Sequence, residues 1–156
     1  MKRFVKKIAA VVLSLAMVFS VLTVSFAAED NKTLKFGADG KFRIMHVTDT
    51  HLEDYNLEAS VWAIGEACDI EKPDLVVITG DNVQNCDDPA ETKLLIDGLM
   101  NVFESRNIPV AVTFGNHDSE EGAMSREELM AYYNTFSCSV SVDDGEALSG
   151  CGTYNL

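Results

Sequence analysis

Residues 74–82 read DLVVITGDN, and this stretch decides the fold. Its uninterrupted run of Leu, Val and Ile is typical of a β-strand that is covered on both faces, as strands of parallel sheets are. The run stops at Gly80, and Asp81 and Asn82 follow directly. The stretch therefore predicts a buried parallel strand with a polar loop at its carboxyl end.

Two other apolar runs end in the same way. The upstream run covers residues 42–48 and stops at the tripeptide DTH, residues 49–51. The downstream run covers residues 110–114 and stops at the tetrapeptide GNHD, residues 115–118. We therefore expect three strands of one kind, each followed by a loop rich in carboxylate, imidazole and amide groups.

The segments between and after these runs have the features of helices. Residues 57–71 carry apolar side chains at helical spacing, and a proline closes the segment. A second helix is predicted from the Asp-Pro pair at residues 88–89, and a third from the Ser-x-x-Glu capping box at residues 125–128. From residue 137 onward, where Ser, Gly and Asp dominate, we expect a weak hairpin or a loop.

The order of these elements predicts an α/β fold with mostly parallel strands in β-α-β-α-β order. Crossovers of this length favour parallel strands with right-handed connections. The carboxyl ends of parallel strands meet at one edge of the sheet, where open α/β sheets bind their ligands. The three polar loops are therefore expected to form one site.

Four side chains of these loops are candidate metal ligands. Asp49 and His51 can turn toward one cation with a carboxylate oxygen and an imidazole nitrogen. Asp81 has two oxygens and can bridge two cations, and Asn116 offers a neutral amide oxygen to the second. Such ligands suit one or two hard or borderline divalent ions.

Two further residues are candidates for the chemistry itself. His117 can protonate a leaving group, which is typically worth about 10²- to 10⁴-fold in rate. Asp118 can orient the His117 ring, as carboxylates commonly do for imidazole. Together with two metals about 3.5–4 Å apart, these parts suit the hydrolysis of a phosphate ester.

Each cluster also has an ordinary explanation, because aspartate and glycine are common where a strand turns into a loop. The occurrence of all three clusters, each at the end of a strand, favours a functional site. His46 lies within a strand, so we predict a hydrogen-bonded histidine there rather than a ligand.

The first 27 residues are predicted to be a secretory signal peptide, which places the protein outside the cytoplasm. A basic head precedes an uncharged apolar stretch over residues 8–24, and residues 25–27, SFA, form a small-x-small cleavage pattern. A retained N-terminal anchor is the alternative, because the stretch is slightly long for a signal. Residues 28–40 are predicted to be a linker and residues 41–156 the domain.

The acidic composition limits the partners. The chain has 12 Lys and Arg against 25 Asp and Glu, and loss of the four basic residues within residues 1–27 leaves a net charge of −17. Such a surface repels nucleic acids and anionic lipids. We expect a small phosphorylated substrate, whose charge bound cations would offset.

The four cysteines show no C-x-x-C spacing, which argues against a zinc–thiolate site. Export would permit a disulfide between Cys138 and Cys151, and free thiols are the alternative. For Cys68, which lies on an apolar helical face, a free thiol is the preferred interpretation.

The three loops resemble the motifs D-x-H, G-D-x-x and G-N-H-[D/E] of calcineurin-like metallophosphoesterases. They stand here at residues 49–51, 80–83 and 115–118, and the resemblance covers about residues 42–118. It implies an α/β/β/α sandwich that hydrolyses phosphate mono- or diesters with two divalent ions such as manganese, iron or zinc. It implies that Asp49 and His51 bind the first metal, that Asp81 bridges, that Asn116 binds the second metal, and that His117 acts on the leaving group or transition state.

The sequence departs from this family pattern in two places. Gln84 stands where purple acid phosphatases carry a tyrosine ligand, and no histidine follows His117, although the family completes its metal shells with later histidines and a G-H-x-H motif. We therefore expect the chain to be the N-terminal half of a secreted phosphoesterase, apparently truncated, with one sheet face left without its covering layer. The alternatives are a non-catalytic secreted module that binds metal or phosphate ligands, and a two-chain enzyme whose C-terminal half comes from a separate chain.

Overall fold

The computed structural model describes residues 33–120, 123–143, 150–152 and 154–156. The predicted signal peptide and the first part of the predicted linker lie outside these residues. Residues 33–40 contain a turn but no helix or strand. Within the described part of the chain, we find no helix that is both long and apolar enough to cross a membrane.

Three parallel strands form one sheet in the order β1 (Ile44–Val47), β2 (Leu75–Ile78) and β3 (Val110–Val112). The predicted α/β class with parallel strands is confirmed. β2 coincides with the Leu-Val-Val-Ile run at residues 75–78, whereas β1 and β3 are shorter than the runs at residues 42–48 and 110–114, because the regular pairing stops before the polar loops begin.

In the described part of the chain, four helices accompany the sheet: α1 (Leu57–Glu71), α2 (Pro89–Glu104), α3 (His117–Glu120) and α4 (Arg126–Tyr133). The bounds of α1 agree with the sequence prediction. The single turn α3, which begins directly after the third loop, was not predicted.

The predicted helix starts of α2 and α4 are confirmed by their caps. Asp88 Oδ1 accepts hydrogen bonds from the backbone N–H groups of Ala90 and Glu91, at 2.7 and 2.9 Å. At α4, Ser125 and Glu128 each accept the other's backbone N–H through their side chains, at 3.2 and 2.8 Å. Both helices therefore begin where the chain itself satisfies their free N–H groups.

The main core lies on the face of the sheet that α1 and α2 cover. Alternate strand residues such as Val76, Ile78 and Val110 point to this face, and all three are fully buried. They pack against the apolar stripe of α2, whose Leu95 and Leu99 are also fully buried or nearly so. The helices are thus fixed against the sheet by apolar burial, which holds the strand ends in place.

The opposite face of the sheet is only partly covered. Leu75 and Ala111 pack there against Leu34 and Tyr154, but Ile44 of β1 is 60% exposed. The segment from residue 137 was predicted to be a weak hairpin or loop, and its described residues 137–143 form an irregular loop. This loop makes one isolated parallel bridge between Ser139 and Val110, with Val110 N donating to the carbonyl of residue 138 at 2.8 Å.

The four cysteines are free thiols in the structure, so Cys138 and Cys151 are not bridged. Burial raises the pKa of the Cys68 thiol and that of the Cys86 thiol, as expected for packed cysteines. His46 lies in β1 as predicted, with its Nε2 atom 2.6 Å from Thr79 Oγ1.

Candidate metal centre

The loops after β1 and β2 run side by side beyond the ends of their strands. Asp49 N donates to the carbonyl of Gly80 at 3.1 Å, and His51 N donates to the carbonyl of Asp81 at 2.9 Å. A parallel bridge between Leu52 and Val83 follows. The two loops are therefore held in register by backbone hydrogen bonds, although neither is part of a regular strand.

The second and third loops are in backbone contact through two glycines. A Cβ atom on Gly80 would collide with the backbone of Gly115, and a Cβ atom on Gly115 would collide with the Asp81 carboxylate. Gly80 also has a φ of 101°, a conformation that residues with a side chain rarely adopt. The glycines of the G-D and G-N-H-D motifs are thus required by the close approach of the loops.

Three candidate ligands have left-handed backbone conformations. The φ angles of Asp49, His51 and Asp81 are 54°, 42° and 51°. Aspartate tolerates this region better than most residues, but it remains uncommon outside glycine. The extended backbone of the strands is interrupted at these residues, and their side chains lie close to one another.

These side chains form a compact cluster. One ligand atom from each of Asp49, His51 and Asp81 lies within 4.8 Å of the others. His51 Nε2 is 3.6 Å from Asp49 Oδ1, whereas His51 Nδ1 is buried and has no hydrogen-bond partner among the described residues. Two carboxylates and an imidazole are the donor types that bind divalent transition metals.

His117 joins the cluster from the third loop. Its ring lies edge-on to the ring of His51, with 5.1 Å between the centroids, and its backbone N–H donates to Asp81 Oδ1 at 2.9 Å. The structure therefore brings His51, Asp81 and His117 to one place, as the spacing of the motifs predicts.

Asn116 is exposed, and its amide nitrogen Nδ2 donates to Glu120 Oε2 at 2.9 Å. Because Glu120 accepts from Nδ2, the amide oxygen Oδ1 is not engaged by Glu120. Asn116 follows Gly115 directly, so its backbone lies at the same edge as the cluster.

Asp118 has a different position from the one that sequence reasoning gave it. Its carboxylate is buried, with 1% of the residue exposed, and it accepts the backbone N–H groups of Asp81, Asn82 and Gly115, each at 2.8 Å. Within the residues that the structure describes, His117 Nδ1 is buried without a hydrogen-bond partner. The expected support of the His117 ring by Asp118 is therefore replaced by contacts from Asp118 to the backbone of two loops.

Other residues that the sequence did not single out hold the loops. Asn56 Nδ2 donates to the carbonyl of His51, and Glu53 Oε1 accepts from Gln84 Nε2 at 2.6 Å. Arg126 Nη2 donates to the carbonyl of Gly115 at 2.9 Å. The last two contacts have no local sequence signature, because their partners lie 31 and 11 residues apart.

A tyrosine lies beneath the second loop. Burial raises the pKa of Tyr133 well above its usual range, and the negative charge of Asp118 adds to that increase. In the described part of the chain, the hydroxyl and both polar atoms of the Asn82 side chain are buried without a well-formed hydrogen bond, although the Asn82 side chain is close enough to the hydroxyl to oppose the increase in pKa. Tyr133 is therefore a neutral, packed residue under the site.

Comparison with protein-family models matches residues 42–153 to the calcineurin-like phosphoesterases. This match includes all three loops. The chain belongs to the calcineurin-like phosphoesterase family.

Its relatives resemble purple acid phosphatases. The chain is 30% identical to "Probable inactive purple acid phosphatase 14" of Arabidopsis thaliana, over 93% of its own length and 42% of that protein. It is 26% identical to "Probable inactive purple acid phosphatase 29" of the same plant, over 83% of its own length and 38% of that protein.

A yeast relative carries a name without the word inactive. The chain is 30% identical to "Phosphatase DCR2" of Saccharomyces cerevisiae, over 58% of its own length and 18% of that protein. The chain thus spans less than half the length of each of these three relatives. No solved structure matches it significantly.

Members of this phosphoesterase family typically bind metal ions, and the donor set fits that property. Asp49, His51 and Asp81 supply two carboxylates and an imidazole nitrogen within a few ångströms. Gln84, at the place of the tyrosine ligand of purple acid phosphatases, instead donates to Glu53. This chain therefore offers no phenolate ligand at that position.

Proposed function

We propose that the chain carries the metal-binding half of a phosphoesterase that hydrolyses phosphate mono- or diesters at a dinuclear metal centre. The observation that carries this proposal is the convergence of Asp49, His51 and Asp81 with His117 at one edge of the sheet. Membership of the calcineurin-like phosphoesterase family supports the same chemistry.

The chain's own residues have separate tasks in this proposal. Asp49, His51 and Asp81 would hold one cation, Asp81 would also contribute to a second, and Asn116 would offer its amide oxygen to that second cation. His117 holds the proton that the leaving oxygen needs. When bound, the two divalent ions supply Lewis acidity and an activated water for attack on phosphorus.

The fit of Asn116 depends on a specific contact. Its Nδ2 atom is held by Glu120, so the amide can present Oδ1, the atom that a cation requires. The remaining ligands of the second cation would come from a continuation of the polypeptide or from a separate chain, because no histidine follows His117.

The substrate that we propose is a small phosphorylated molecule outside the cytoplasm. The net charge of −13 disfavours nucleic acids as substrates, and the basic and apolar start of the sequence supports export. N-terminal sequencing of the protein from the culture medium tests the export proposal, which requires a new N-terminus after residue 27.

Activity is tested on the full chain after metal removal with a chelator. Hydrolysis of p-nitrophenyl phosphate and of bis-p-nitrophenyl phosphate is measured before and after addition of Mn²⁺, Zn²⁺ or Fe²⁺. Because part of the second cation's ligands is missing from these residues, the proposal expects weak hydrolysis, which requires an added metal and disappears in Asp81→Asn. The control is Asp74→Asn, an aspartate at the other end of β2. Hydrolysis that survives metal removal would contradict the proposal.

A second candidate is a secreted module that binds metal or phosphate ligands without turnover. The names of two relatives, which call them inactive phosphatases, favour it. Calorimetric titration combined with the hydrolysis assay separates the two candidates. A binding module takes up metal and inorganic phosphate in a simple ratio but hydrolyses neither substrate. Coexpression with a chain that supplies a G-H-x-H segment would restore hydrolysis only if the two-chain alternative is correct.

A further inference from the structure

The buried charge of Asp118 needs an explanation that the proposed catalytic roles do not supply. The residue is 1% exposed, and burying a carboxylate is costly unless its oxygens receive hydrogen bonds. Among the described residues the only Lys or Arg ion pair joins Asp69 and Arg106, so no side-chain cation pairs with Asp118 there. Its charge is instead stabilised by backbone N–H groups.

These N–H groups come from two different loops. Oδ2 accepts from Asp81 N and from Gly115 N, both at 2.8 Å, so one oxygen joins the second loop to the third. Oδ1 accepts from Asn82 N at 2.8 Å, with Val83 N at 3.4 Å beside it. Hydrogen bonds to an ionised acceptor are about twice as strong as neutral ones.

The contact is reciprocal. Asp81 Oδ1 accepts the backbone N–H of His117, the residue directly before Asp118, at 2.9 Å. Each of the two carboxylates therefore binds the backbone of the other's loop. This arrangement holds Asp81 in its left-handed conformation, with a φ of 51°, which the chain would otherwise leave.

We infer that Asp118 is a positioning residue for the bridging ligand Asp81, and not for the ring of His117. Its carboxylate fixes the second loop against the third, and this sets where the Asp81 oxygens stand relative to Asp49 and His51. The role in metal binding rests on the proposed function, whereas the joining of the loops does not depend on it.

The chemistry of the site explains why aspartate is required. Three N–H groups at short distance need an acceptor with two oxygens and no hydrogen of its own. In Asp118→Asn, the amide NH₂ would face one set of backbone donors, and the negative charge would be lost. Asp118→Glu keeps the charge and both oxygens but displaces them by one methylene.

The experiment compares Asp118→Asn and Asp118→Glu with Phe103→Leu in the full chain. Phe103 is fully buried near the end of α2, at the opposite edge of the sheet, so its variant lowers stability without touching the loops. Co²⁺ affinity and the visible absorption spectrum of bound Co²⁺ are measured together with the thermal midpoint. Amide hydrogen exchange of Asp81, Asn82 and Gly115 is followed by NMR in the metal-free wild type.

We expect Asp118→Asn to lower Co²⁺ affinity by about 10- to 100-fold, as loss of an outer-shell partner does, and to change the spectrum. Asp118→Glu should retain more affinity than Asp118→Asn, and Phe103→Leu should keep the wild-type affinity and spectrum at a similar loss of thermal midpoint. Wild-type affinity and spectrum in Asp118→Asn would overturn the positioning role.

Amide exchange in the wild-type chain tests the inference even if a variant does not fold or no metal binds. Slow exchange of the three wild-type amides supports the joined loops, and exchange as fast as in an open loop would overturn the inference without any variant. A wild-type chain that takes up no Co²⁺ but shows protected amides would refute the proposed phosphoesterase function and leave the joining of the loops by Asp118 standing.

Discussion

The two edges of the sheet use aspartate in opposite ways. At the edge where the strands begin, the Asp69 carboxylate accepts two hydrogen bonds from the Arg106 guanidinium, at 2.8 and 2.7 Å. Asp74 accepts the backbone N–H of Arg43 at 2.7 Å. At the edge where the strands end, Asp49 and Asp81 stand close together, and among the described residues neither forms an ion pair with Lys or Arg.

This difference shows where the chain gives up stability for a site. At the first edge, the Arg106 guanidinium and the Arg43 backbone N–H donate hydrogen bonds to the carboxylates of Asp69 and Asp74. Left-handed residues do not distinguish the edges, because Lys72 and Asn107 adopt this conformation at the first one. At the second edge the like charges of Asp49 and Asp81 are neighbours, which costs free energy. Such costs persist at functional sites, where a bound ligand recovers them.

The largest effect is expected from Asp81→Asn, which removes the bridging charge while keeping an acceptor for the His117 N–H. Because Asp81 belongs to the metal cluster directly, metal affinity should fall by more than the roughly 10- to 100-fold typical of an outer-shell loss. Calorimetry with Mn²⁺ measures this, and Asp74→Asn at the opposite edge is the control. Equal losses in both variants would remove the distinction between the edges.

The next effect is expected from His117→Gln. Hydrolysis should fall by about 10²- to 10⁴-fold, the usual contribution of a general acid, while metal affinity stays close to wild type. The matched control is His46→Gln, since His46 is an exposed strand histidine whose side chain, among the described residues, forms a hydrogen bond with Thr79 alone. A loss of metal binding in His117→Gln would instead make His117 a ligand.

A smaller effect, a gain in stability rather than a loss of function, is expected from Asp49→Asn. Removal of one of two neighbouring charges should stabilise the metal-free chain by up to about 1 kcal/mol, the Coulomb energy of such a pair in water. Asparagine also tolerates the left-handed conformation at this position.

Thermal unfolding with and without Mn²⁺ checks this prediction, and Asp54→Asn in the same exposed loop is the control. The variant should be more stable than wild type without metal and less stable with it. A variant that is destabilised under both conditions would show that Asp49 has a structural role like that of Asp69.

The smallest effect is expected at the opposite edge, from Asp69→Asn. Hydrogen bonds from the Arg106 guanidinium hold the pKa of the Asp69 carboxyl below its usual range. A lowered pKa in the folded state stabilises the protein above the ordinary carboxyl pKa of 3.8, and this contribution is lost as the pH falls through the folded value.

The difference in unfolding free energy between wild type and Asp69→Asn should therefore be small at neutral pH and vanish in acid. Denaturant unfolding between neutral pH and pH 2 measures it, with the exposed Asp39→Asn as control. Addition of Mn²⁺ should leave this difference unchanged, and a metal-dependent difference would mean that the two edges are coupled.

Much of the fold could be predicted from local patterns. The Leu-Val-Val-Ile run at residues 75–78, the cap at Asp88 and the capping box at Ser125 each depend on neighbouring residues, and all three are confirmed. The turn α3 was missed because four residues are too few to show a helical period.

The candidate site was predicted in part. The alternation of strands and helices is enough to bring Asp49, His51 and Asp81 to one edge, and the structure places their ligand atoms together. The identity of the metal, the number of ions bound and the substrate are proposals, because they depend on ligands and contacts beyond these three loops.

The sequence by itself determined the parallel α/β order and which residue types meet at the end of the sheet, since periodicity and strand direction are properties of short segments. Only the tertiary structure decided what each carboxylate does there. Asp118 binds backbone N–H groups 36 and 37 residues away, while Asp81 binds the N–H of His117. Contacts over such separations depend on how closely Gly80 and Gly115 let two loops approach, and no local pattern encodes that distance.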